Sequence, residues 1–127
     1  MKKVFLIIAM FFITTMSYSQ DFKGLGGYLV VDQGVWTLTW QNNNYKILTD
    51  WAQIVLTDKN EVETFHNDLV TSFESKDEIT IKREKYVIYV KNDMVLLYNN
   101  NEQYMTMVKK YMKKGIGEVK ESILFMR

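Results

Sequence analysis

Trp36, Leu38 and Trp40 alternate with Thr37, Thr39 and Gln41, the period of two expected of a half-buried strand. Tyr28–Val31 before this stretch is a short apolar strand candidate, closed by the turn sequence Asp32-Gln33-Gly34. Asn42-Asn43-Asn44 supplies a turn after it, because asparagine tolerates positive φ. Tyr45–Thr49 and Gln53–Thr57 read as two further strands of the same meander. Beyond the first helix the period returns to two: Glu78–Lys82 is one strand, and the apolar runs Tyr86–Val90 and Met94–Tyr98, joined by Lys91-Asn92-Asp93, form a hairpin.

Two segments have the helical period. Val62, Phe65, Leu69, Val70 and Phe73 make one apolar stripe, and Asp58 with Glu61 three residues on forms a capping box, so a helix is predicted over about 59–74. Near the C-terminus Val108, Tyr111, Met112, Ile116, Val119 and Ile123 form a second stripe, interrupted by Gly115 and Gly117. Two readings stand there: a helix along the whole stripe, or a shorter one ending at Gly115 with Lys109, Lys110, Lys113 and Lys114 at its negative end. Tyr104–Val108 fits either a strand or helix, with Thr106 a candidate cap for a helix from about 107. The expected fold is α+β in two layers: an antiparallel sheet of about six to seven strands, with the central helix and a C-terminal helix on one face. No internal repeat, low-complexity tract or linker is visible in the sequence, so residues 20–127 are expected to form a single small domain.

The first 19 residues have the layout of a secretory signal peptide. Lys2 and Lys3 precede an apolar run, Val4–Ile13, and the small residues Ser17 and Ser19 occupy the positions a signal peptidase inspects. The run is half the roughly 20 residues needed to span a bilayer. Cleavage is expected between Ser19 and Gln20, which gives an exported periplasmic or secreted protein with no membrane span after cleavage. The short two-lysine leader has a bacterial character.

Composition then narrows the chemistry. The chain of 127 residues has no cysteine and one histidine, which excludes disulfides and thiol nucleophiles and leaves almost nothing for a structural zinc site. Sixteen basic residues against 15 acidic ones give no overall basic footprint for nucleic acid. The single histidine, His66, lies at the margin of the first helical stripe, with Glu63 three residues before it and Asp68 two after, and is expected to be a boundary histidine and not a catalytic base. Asp58-Lys59-Asn60-Glu61 gathers oxygen ligands, but Val62 and Glu63 stand where a calcium loop needs a ligand and a glycine. Gly24, Gly26 and Gly27 precede a strand instead of opening a helix, and no Gly-x-Ser-x-Gly elbow occurs. No catalytic motif, cofactor site or metal site is read from the sequence. Charge is uneven: residues 50–78 are predominantly acidic, and 103–127 carries six bases against two acids.

The functional expectation is therefore a non-enzymatic exported module that binds another envelope protein or itself. Tyr86–Val90 and Met94–Tyr98 are apolar on both strand faces, so an element must cover each face or leave one exposed for binding. Tyr86, Tyr89, Leu97 and Tyr98 are the candidate contact residues there, together with Trp36 and Trp40 in the meander. The competing expectation is that Ile123-Leu124-Phe125-Met126 folds over the spare face. Two alternatives remain: a carbohydrate or small-ligand module stacking on Trp36, Trp40 and Trp51, and a hydrolase using two carboxylates that converge in a cleft.

Overall fold

The computed structural model describes residues 17–22, 27–42 and 50–126. The apolar run Val4–Ile13 of the expected leader and the expected strand Tyr45–Thr49 lie outside the described residues.

The fold is α+β in two layers, with the strands divided between two antiparallel sheets of four. The first sheet contains β1 (Ser17–Phe22), β2 (Gly27–Asp32), β3 (Val35–Asn42) and β4 (Asp50–Leu56), in that order. Helix α1 (Lys59–Glu74) follows. The second sheet contains β5 (Ile79–Lys82), β6 (Tyr86–Lys91), β7 (Met94–Asn99) and β8 (Tyr104–Val108), and α2 (Lys109–Ile123) closes the chain. Each half thus runs four strands and then a helix, a repetition of topology that the sequence does not display. The expected cleavage point between Ser19 and Gln20 falls inside β1, which pairs with β2 from Ser17 opposite Asp32 to Phe22 opposite Gly27.

The strand period determines which side chains go inward. In the first sheet the cross-strand rows Leu29–Leu38–Ile54 and Val31–Trp36–Leu56 are buried, as are Trp40 and Ala52. In the second sheet the rows Ile88–Leu97–Met105 and Val90–Val95–Met107 do the same. The inner faces meet the helix pair: α1 lies against β4 and β6, and α2 against β1, β2 and β8. A chain of edge-to-face rings, Trp36–Phe65 at 5.3 Å and Phe65–Tyr86 at 4.9 Å, links the first sheet through α1 to the second. Gln33 and Gly34 both take positive φ, the two-residue turn whose twist suits a hairpin.

Asp58 caps α1, its carboxylate accepting from the Asn60 N–H at 2.8 Å. Glu61 reaches back one residue further than a capping box requires, to the Thr57 N–H at 3.4 Å. Tyr104–Val108 is a strand, and α2 runs through both Gly115 and Gly117, so the shorter helix does not form. Gly115 is buried on the same stripe as Met112, Val119 and Ser122. The stripe's expected member Tyr111 instead points outward and is half exposed. Among the described residues, no helix is long and apolar enough to cross a membrane.

Candidate functional site

The hairpin β6–β7 sorts its apolar residues onto two faces by strict alternation. Tyr86, Ile88 and Val90 on β6 and Val95 and Leu97 on β7 are buried under the helices. Val87 and Tyr89 on β6, with Met94, Leu96 and Tyr98 on β7, form the opposite face. Cross-strand register adds Tyr104 beside Tyr98, Thr106 beside Leu96 and Val108 beside Met94 from β8, and Thr80 beside Tyr89 from β5. No described element covers this face. Tyr89, Met94 and Val108 are 41%, 43% and 37% exposed, high values for large apolar side chains.

The tyrosines are ordered by one another. The Tyr89 and Tyr98 rings meet edge to face at 5.4 Å, and Tyr98 leans on Tyr104 at 5.2 Å. They form a ridge between two open hollows of about 410 and 480 Å³. One is bounded by Val87, Tyr98, Glu102 and Tyr104, the other by Thr80, Tyr89, Lys91 and Leu96. Such a surface is apolar in area with polar hydroxyl tips, the composition enriched at the centre of protein interfaces.

The C-terminal segment does not cover the face. Ile123 and Phe125 pack against the core and Met126 is buried within it, on the helix side, while Leu124 is exposed. Of the six residues expected to make contacts, only Tyr89 and Tyr98 belong to the outer face. Tyr86 and Leu97 point inward because they occupy the other parity of their strands. Trp36 and Trp40 are buried for the same reason, which removes two of the three tryptophans from any sugar platform. Trp51, opposite Gln41, is 58% exposed on the outer face of the first sheet.

A second constellation was not evident from the sequence. Asp68, buried on α1, accepts two parallel hydrogen bonds from the Arg83 guanidinium, both 2.9 Å, and one from the Tyr86 hydroxyl at 2.6 Å. The Asp68 hydrogen bond and charge hold the Arg83 guanidinium firmly in its cationic form. Burial, followed by the hydrogen bond to Asp68, pushes the Tyr86 hydroxyl well above the ordinary tyrosine range. The only hint was an aspartate on the otherwise apolar side of a helix, 15 residues before an arginine at a turn.

Beside this group, a cleft of about 240 Å³ is floored by the buried Leu56 and Tyr86 and rimmed by Glu61, Arg83, Glu84 and Lys85. It brings two carboxylates together, yet Glu61 is ion-paired with Lys85 at 3.1 Å and tied to the end of β4 through Thr57. The site secures α1 to the turn between β5 and β6. His66 is half-buried on α1, and among the described residues no three acidic or histidine side chains cluster closely enough to hold a metal.

Comparison with family models, with curated proteins and with solved structures finds no match to this chain.

Proposed function

We propose that this is an exported, non-enzymatic contact module of the cell envelope, and that the outer face of β5–β8 is the surface on which it holds a protein partner. The observation that carries this reading is the uncovered tyrosine ridge. Burying a fully exposed residue of this size in water-free contact stabilises a complex by about 1.5–3 kcal/mol, and proteins rarely leave several such residues contiguous without use. Export is supported by Lys2 and Lys3, the apolar run Val4–Ile13 and the small residues Ser17 and Ser19. Cleavage after Ser19 leaves Gln20–Phe22 of β1 still in register with Gly27–Leu29.

The test places a photo-activatable cross-linking residue at Tyr89 in the full chain, in the cells that produce it, and a control at Thr39 on the outer face of the first sheet. A discrete adduct from position 89 and none from 39 is the expected result. Absence of any adduct at 89, with the protein exported and folded, overturns the reading.

A further inference from the structure

We infer that the partner seated on the tyrosine face is a second copy of this chain, packed face to face about a two-fold axis that runs along the strands between β6 and β7. The inference rests on the reading of this face as a docking surface and adds its occupant. Two observations point to self-complementarity.

The first is shape. The Tyr89–Tyr98 pair stands as a ridge with a hollow on either side, and the two hollows are of similar size. A two-fold copy offers the same ridge in reverse, so each ridge enters a hollow of the other subunit. Aligned strands are the normal arrangement when two twisted sheets stack.

The second is charge. Lys82 ends β5 at one edge of the face, in the row Lys82–Val87–Tyr98–Tyr104. Glu102 lies at the opposite edge, just before β8, and lines the hollow beside Tyr98 and Tyr104. Three strand spacings separate them, about 14 Å, so they do not pair within one chain. Both are exposed, and neither makes an ion pair among the described residues. The proposed axis exchanges β5 with β8. It therefore brings Lys82 of each copy over Glu102 of the other, twice per dimer, across stacked sheets about 10 Å apart that the two long side chains span. Like charges never face each other along this row.

The size of the face sets the strength. Four strands and five residues cover about 19 by 17 Å, well below the roughly 800 Å² a side of a standard stable interface. The dimer is accordingly expected to be a weak, transient one.

Sedimentation equilibrium of the full mature chain, from about 5 to 500 µM, tests this with four proteins: the natural chain, Lys82→Glu, Glu102→Lys and the double reversal. The natural chain is expected to dimerise. Each single reversal weakens the dimer at least about ten-fold, and the double reversal returns it to within about three-fold of the natural chain. Circular dichroism confirms that all four fold alike. A natural chain that stays monomeric at 500 µM overturns self-association. If the Tyr89 cross-linker then yields a heterologous adduct, the docking face itself stands. A dimer indifferent to both single reversals overturns the proposed two-fold packing.

Discussion

The indole nitrogen of Trp36 in β3 donates to the hydroxyl of Ser122 in α2 at 2.8 Å, across 86 residues of sequence, and the hydroxyl in turn donates to the Val119 carbonyl at 2.6 Å. Both side chains are fully buried. The bond joins the first sheet to the last helix, so α2 docks in one register only. Ser122→Ala removes the acceptor and leaves the Trp36 N–H without a partner, at a cost of about 1–3 kcal/mol. Urea unfolding is the measurement. A double-mutant cycle with Trp36→Phe isolates the bond, because the two substitutions together should cost less than their sum.

Asp68 is the acceptor on which the second constellation turns. Asp68→Ala strands the buried Tyr86 hydroxyl and frees Arg83, and is expected to cost about 3 kcal/mol or more. Arg83→Ala should cost less, about 1–2 kcal/mol, because its side chain is 48% exposed and water takes up part of the lost interaction. The ordering, read from urea midpoints, is the diagnostic. Equal costs would show that the carboxylate is not held as described.

Alkaline pH tests the same group through Tyr86. Its hydroxyl holds its proton far above the ordinary tyrosine value near 10, from burial first and the Asp68 bond second. A pKa raised in the folded state contributes stability that is fully present below the unfolded value. As pH passes about 10, the unfolded chain releases the proton first, and about 1.4 kcal/mol is lost per pH unit. The stability advantage of the natural chain over Tyr86→Phe should therefore be flat below pH 10 and shrink above it. An advantage that persists unchanged at pH 11 overturns the assignment.

Much of this architecture was legible in the residue pattern, and the parts that were not share one cause. The α1 stripe and its cap at Asp58 are local features, set by i, i+3 and i+4 spacing, and the helix begins and ends where that spacing says. The hairpin β6–β7 is likewise local. What the pattern did not give is how parity is assigned and how distant strands pair. Both faces of Tyr86–Val90 are apolar, so nothing within the segment says that Tyr86 goes under α1 while Tyr89 faces out. The inward parity gives the Tyr86 hydroxyl a buried acceptor in Asp68, a partner on another element that the segment itself does not reveal. Nor does any local signal divide the described strands into two sheets, because β4 and β5 are separated by a helix and pair only with neighbours on their own side. Tyr104 and Val108 join the candidate face through cross-strand register alone.

Two glycines with opposite surroundings give a paired expectation. A Cβ on Gly27 would come within 2.8 Å of the Thr39 carbonyl oxygen, a backbone atom that cannot move without breaking the β2–β3 ladder. Gly117, on the exposed side of α2, has open space at that position. Gly117→Ala should stabilise the protein by about 0.5–1 kcal/mol through the entropy of the unfolded chain, and Gly27→Ala should destabilise it. Thermal melting of the two variants shows opposite shifts in Tm.

Tryptophan fluorescence separates the sugar-stacking alternative from the contact-face reading. Trp36 and Trp40 are shielded from solvent, whereas Trp51 is 58% exposed, so iodide should quench one emitting population of three and leave the rest. Trp51→Phe should abolish nearly all of that quenching with little loss of stability, because the ring is 58% exposed and phenylalanine keeps an aromatic ring there. The same variant decides the alternative. A stacking site on the first sheet has only this tryptophan left among the described residues, since Trp36 and Trp40 are buried. Oligosaccharide titrations that shift Trp51 emission, and fail after Trp51→Phe, would establish a ligand site on the first sheet. Titrations with no effect on emission remove the sugar-stacking alternative.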